Sequence, residues 1–154
     1  LEDFNKEPQP FIARKPELIY GLRNIIQNAI DFSVKKVWLD VIFNNKVIIF
    51  EISDDGSGFP PHLIDRIGDP FLIEGLRDKY FDISRPHYEG MGLGLFIAKT
   101  LLERLGGSVT FNNKNRRGNK QIERAKEMSS HQANSQGAIV RVEFSLSDLE
   151  EKNR

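Results

Sequence analysis

The run V-I-I-F-E-I-S-D-D-G-S-G, Val47 to Gly58, decides the architecture of this chain. Its first seven residues, Val47 to Ser53, are rich in β-branched and aromatic side chains and read as a strand. The strand runs without a break into Asp54, Gly56 and Gly58, an acid and two glycines where the chain must turn. Immediately upstream, Val37 to Phe43 reads as its partner, with Val37, Leu39, Val41 and Phe43 alternating with Trp38, Asp40 and Ile42. Asn44-Asn45 between the two supplies residues that tolerate the left-handed backbone of a tight turn, so the pair is predicted to be a hairpin.

Upstream of the hairpin, Pro16-Glu17 suits a helix start, since proline is tolerated in the first turn and an acid favours the positive end. Leu18, Ile19, Leu22, Ile25, Ile26, Ala29 and Ile30 recur at helical spacing and predict a helix over 16–33. Residues 1–15 carry Pro8, Pro10 and scattered charge, and 1–11 read as a linker or lead-in. Downstream, Pro60-Pro61 stops any strand, 62–67 is predicted as a short helix, and Gly68 to Phe71 as a turn. Residues 72–89 have weak periodicity and are expected to be a mobile segment. Leu93, Phe96, Ile97, Thr100, Leu101 and Leu105 mark a second long helix, preceded by glycines and ended by Gly106-Gly107. Strands are predicted over 108–111 and 138–144. The polar run 112–137 between them is expected to be a flexible insertion with a transient helix over 121–128. Residues 146–154 read as a fraying tail. This order predicts one α/β domain over 12–145, a two-layer α/β sandwich with a mixed sheet covered on one face by helices.

With 154 residues the chain is long enough for one domain with a real core. Its 22 Lys and Arg balance 22 Asp and Glu, which argues against a nucleic-acid surface as its main business. No apolar run approaches the ~20 residues needed to span a bilayer, and no signal peptide is visible. There is no cysteine, which excludes disulfides, thiol chemistry and Cys-ligated zinc in this piece. The lack of cysteine fits the cytoplasm, where the domain is expected, and the first residue is Leu1, so the chain is read as a domain excised from a longer protein.

Three motifs carry chemistry. Asn24 and Asn28, four apart, fall on one helical face with Tyr20. Their carboxamides offer neutral oxygen ligands, which suit magnesium held partly by phosphates; the plainer alternative is a solvated polar face. Asp54 after its strand can accept the exocyclic amine of adenine, whereas guanine presents an acceptor there and would be repelled. Gly56 and Gly58 let backbone approach a flat base. The alternative is an ordinary turn, since the further acids of a calcium loop are missing after Gly58. Gly90-Met91-Gly92-Leu93-Gly94-Leu95 opens a helix, where free backbone N–H groups bind phosphate oxygens. It matches neither G-x-x-x-x-G-K-[ST] nor G-x-G-x-x-G, and a flexible hinge is the alternative. His62, His87 and His131 are isolated and form no metal-like pair. The cluster Lys114, Arg116, Arg117 and Lys120 reads as solvated loop, or more sharply as a dock for an acidic partner.

Together these motifs resemble the ATP-binding catalytic domain of sensor histidine kinases, within the group shared with gyrase B, Hsp90 and MutL proteins. Asn24 to Asn28 resembles the N box, Asp54-x-Gly56-x-Gly58 the G1 box, Asp69-Pro70-Phe71 the F box, and Gly90-x-Gly92-Leu93-Gly94-Leu95 the G2 box. The runs G-L-R-N-I-I-Q-N-A-I-D-F-S and G-L-G-L-F-I-A-K-T-L-L-E-R are similar to the redox-responsive RegB/PrrB kinases. The resemblance implies the Bergerat fold, ATP and Mg2+ as cofactors, and phosphoryl transfer to a histidine. It implies that Asn28 coordinates magnesium, with Asn24 or Asp31 as further candidates. Asp54 would read adenine, Phe71 would brace the lid, and Gly90, Gly92, Leu93, Gly94 and Leu95 would wrap the phosphates. Arg77, Lys79 or Arg85 would reach the γ-phosphate. The implied partners are a phosphoacceptor helical domain of the same parent and a response-regulator receiver domain. The fragment would be monomeric, and the parent a homodimer that is free or anchored in the inner membrane. Asp31 departs from the family, where many kinases carry a basic residue. No His-Glu-x-x-x-Pro acceptor motif is present. A nucleotide-binding docking module without phosphotransfer, and an ATPase of the gyrase type, are the alternative readings.

Overall fold

The computed structural model describes residues 4–69, 89–114 and 137–149. Helix α1 spans Pro16–Phe32, with proline in the first turn and Glu17 at its positive end. It stops at Ser33, whose extended backbone still donates to the Ala29 carbonyl at 2.9 Å. Strands β1 (Val37–Phe43) and β2 (Val47–Asp54) form the predicted antiparallel hairpin. Its turn closes differently from expectation. Among the described residues Asn5 is the only non-glycine with positive φ. Asn44 closes the turn with its side chain instead: Oδ1 accepts the N–H groups of Lys46 and Val47 at 2.8 and 2.9 Å. This Asx geometry gives the reversal without left-handed backbone.

A single 3-10 turn, Ile64–Arg66, stands where a short helix was expected. Helix α2 spans Glu89–Arg104, followed by β3 (Ser108–Asn113), β4 (Ala138–Ser145) and a one-turn helix α3 (Leu146–Leu149). Three expectations need correction. First, the glycines at 90, 92 and 94 lie inside the first turns of α2 rather than ahead of it. Second, the described sheet, in the order β1-β2-β4-β3, is antiparallel at every pairing rather than mixed. The crossover through α2 does point β2 and β3 the same way, but β4 inserts between them and pairs antiparallel with both. Third, 146–149 do not fray: Leu149 is fully buried and its carbonyl accepts the Ala13 N–H at 2.9 Å. The expected mobile segment (72–89, apart from its last residue) and most of the expected insertion (115–136) lie outside the described residues.

The helices pack on one face of the sheet, giving the expected two-layer sandwich. Leu18, Ile25 and Ala29 of α1 and Leu95, Ala98 and Leu102 of α2 join Ile48, Phe50, Ile52, Val140, Val142 and Phe144 in one core. The helices approach closely at Gly21, where an added Cβ would sit 2.5 Å from Leu102 Cγ. The apolar pattern of α1 is wider than its buried stripe, since Ile19 and Ile30 remain about half exposed. The segment ahead of α1 is tied down at further points besides Ala13. Asn5 exchanges hydrogen bonds with the Phe43 backbone at the β1 edge, and Lys15 Nζ donates to the Asp148 carbonyl.

Candidate nucleotide site

Asp54 closes β2 at the end of the sheet and is 3% exposed. Its Oδ1 accepts two backbone N–H groups, from Gly56 at 2.8 Å and from Ala138 at 3.3 Å. Oδ2 takes no hydrogen bond from the described residues. No buried side-chain nitrogen or oxygen among the described residues lacks a partner, so Oδ2 reaches solvent. The carboxylate is thus held by one oxygen and presents the other. Burial pushes its pKa up; the Gly56 and Ala138 amides and the charge of Lys114 oppose the rise, and Asp55 adds to it.

The two glycines after Asp54 have internal reasons to be glycine. A Cβ on Gly56 would stand 2.1 Å from the Phe32 carbonyl oxygen at the end of α1. Gly58 has φ +79, and its Cβ would stand 2.6 Å from Asn113 Oδ1. Neighbouring Asp55 completes the join to α1. Its carboxylate accepts the N–H groups of Val34, Lys35 and Lys36 between 2.8 and 3.1 Å. These hydrogen bonds hold its carboxyl below the usual range. The acid motif is therefore fastened to the segment that immediately follows the helix carrying the asparagines.

On that helix, Asn24 Nδ2 donates to the Tyr20 carbonyl at 2.9 Å, and its oxygen has no hydrogen-bond partner among the described residues. Asn28 is half-buried and its carboxamide has no hydrogen-bond partner among the described residues. Asp31 is exposed and accepts Gln27 Nε2 at 2.8 Å, so its carboxylate is engaged along a neighbouring stripe. No cluster of three or more His, Asp or Glu among the described residues could cage a metal alone. A neutral, unpaired amide oxygen fits a hard cation that takes its other ligands from phosphate and water.

At the start of α2, as at any helix start, the first four backbone N–H groups have no intrahelical acceptor, and such groups suit phosphate oxygens. Gly94 has open space where a Cβ would be, and Leu93 is 53% exposed. The Leu95 side chain turns the other way into the core and is fully buried. Phe71, Arg77, Lys79 and Arg85 lie outside the described residues. Asn113, Gly137 and Ala138 border Asp54 or its loop although no motif reading singled them out. The one available signal was their position at the root of the polar run.

Comparison with known proteins places this geometry. Residues 14–148 match the family described as histidine kinase-, DNA gyrase B-, and HSP90-like ATPase. The sensor histidine kinase RegB of Cereibacter sphaeroides is 55% identical over 107 residues, which are 70% of this chain and 23% of that protein. The sensor protein KdpD of Clostridium acetobutylicum is 36% identical over 59% of this chain and 10% of its own. The chain thus spans under a quarter of either relative. Among solved structures, ShkA at full length in complex with AMPPNP superposes with a TM-score of 0.57 at 25% identity, covering 88% of this chain and 23% of ShkA. The mycobacterial sensor histidine kinase MprB shares the fold at a TM-score of 0.56 and 18% identity, covering 87% of this chain and 75% of its own. No helix among the described residues is long and apolar enough to cross a membrane. The chain belongs to the histidine kinase-, DNA gyrase B- and HSP90-like ATPase family, in the form carried by sensor histidine kinases.

Proposed function

We propose that this domain binds ATP with magnesium and presents the γ-phosphoryl group to a histidine on a helical domain of the same parent, from which it passes to an aspartate of a response-regulator receiver domain. The observation that carries this reading is Asp54, a buried carboxylate clamped through Oδ1 and open through Oδ2. Oδ2 accepts the exocyclic amine of adenine, and the clamp keeps it aimed without reorganisation. Asn28, with Asn24 or Asp31 in support, holds the magnesium, which neutralises phosphate charge when bound. The α2 N-terminal amides take the phosphates, and Phe71 with one of Arg77, Lys79 and Arg85 serves the γ end. Catalysis by such a site is positioning and charge neutralisation. The fragment works as a cytoplasmic monomer, and dimerisation belongs to the parent's helices.

A gyrase-type ATPase is disfavoured by Asn24, which is neutral and has its amide committed to Tyr20, so it is a poor base for water. The test is titration calorimetry with ATP and GTP, with and without magnesium, beside Asp54→Asn. Adenine-selective, magnesium-sensitive binding that the substitution removes is the expected result. Phosphotransfer to an added helical acceptor domain then separates a kinase from a docking module. Failure of the folded chain to bind millimolar ATP refutes the proposal.

A further inference from the structure

Asn113, at the end of β3, makes a two-point contact with the backbone of Phe59, 54 residues away in sequence. Its Oδ1 accepts the Phe59 N–H at 2.7 Å, and its Nδ2 donates to the Phe59 carbonyl at 2.8 Å. The carboxamide stands in for a neighbouring strand, supplying one acceptor and one donor to a loop that no strand reaches. The side-chain length and the amide are both needed. Aspartate would offer a second acceptor to a carbonyl, and serine has too few atoms to span both groups.

The same contact governs the glycine motif. Gly58 has φ +79 and lies so close to Asn113 that a Cβ would be 2.6 Å from Oδ1. Phe59 is buried and packs edge-on against Phe111 of β3, with ring centroids 5.8 Å apart. Backbone and side chain of Phe59 are therefore both fastened to β3. Asn113 is also the register partner of Ala138, whose N–H donates to Asp54 Oδ1. One rung of the sheet thus reaches the loop from both sides.

We propose that Asn113 is a positioning residue for the nucleotide site. It holds the 54–59 loop in the shape that aims Asp54 at the base, without touching the nucleotide. The inference rests on the ATP-binding reading above and adds a determinant outside the four motifs. If the held loop is the binding-competent one, linkage runs both ways: freeing it weakens ATP, and ATP must slow its opening.

Two measurements on the chain test this. Calorimetry of Asn113→Ala, well below its melting temperature, is expected to show ATP bound at least about fivefold more weakly, the order expected for two lost hydrogen bonds. Asn113→Asp should not restore affinity. In the unaltered protein, saturating ATP should slow amide exchange at Phe59 by about 100-fold at 100 times Kd. The Val47 amide, bonded in the same way to Asn44 at the far end of β2, is the internal reference and should slow far less. This second measurement decides the question even if the alanine variant does not fold. Equal ATP affinity in a folded Asn113→Ala, or equal slowing at Phe59 and Val47, overturns the proposal while leaving ATP binding intact. Absence of ATP binding by the unaltered protein overturns both.

Discussion

Replacing Gly56 with alanine separates a packing requirement from a conformational one. Gly56 is not among the positive-φ glycines, so alanine is free to adopt its backbone angles. The obstacle is contact: the new Cβ meets the Phe32 carbonyl oxygen at 2.1 Å, against ordinary contact from 3.4 Å. That oxygen is backbone at the end of a 17-residue helix and cannot rotate away. The loop must therefore move outward by roughly the shortfall, at the ~1–3 kcal/mol typical of overpacking. The same Cβ lies 3.0 Å from Asp54 Oδ1, and the displaced residue is the one whose N–H holds that oxygen at 2.8 Å. A hydrogen bond to a charged group contributes ~1.5–3 kcal/mol, so ATP affinity should fall by about 10- to 100-fold. Urea unfolding reads the first effect and calorimetry of the folded protein the second. A variant with unchanged unfolding midpoint and unchanged ATP affinity refutes the account of this loop.

Gly94→Ala is the converse case: with open space at Cβ and a helical backbone, it should raise stability by up to ~1 kcal/mol in urea unfolding while weakening ATP in calorimetry if α2 holds the phosphates. Leu149→Ala should cost ~2–5 kcal/mol in the same unfolding assay, because Leu149 is fully buried despite its polar neighbours. The lowered Asp55 pKa means its stabilisation is present above the unfolded carboxylate range and lost as pH falls through the lowered value. Asp55→Ala should therefore be less stable at neutral pH, with the difference closing in acid, as read by thermal melts across pH. Burial raises the Asp54 pKa, so the folded chain keeps that proton to higher pH than the unfolded one. ATP affinity of the unaltered protein, measured by calorimetry, should decline as pH falls through the raised value, towards the lost binding expected of Asp54→Asn at neutral pH.

The hairpin, both long helices and the placement of Asp54 were legible because each depends on neighbours within a few residues. Alternation in 37–43, helical spacing in 16–32 and the glycines at 106 and 107 are local codes. The tail misled for the same reason: its composition is polar, but Leu146 and Leu149 are spaced to share a helical face, and only the folded core gives Leu149 a place to bury. Sequence alone singled out the residues proposed to bear the chemistry, the Asn24–Asn28 pair and the Asp54 motif, through residue type and local spacing. Tertiary structure alone decided that β4 enters between β2 and β3, that Gly56 yields to the end of α1, that Leu95 faces the core, and that Asn113 and Ala138 hold the Asp54 loop. Those contacts join residues up to 98 positions apart, and no local periodicity encodes a meeting that only the folded sheet brings about.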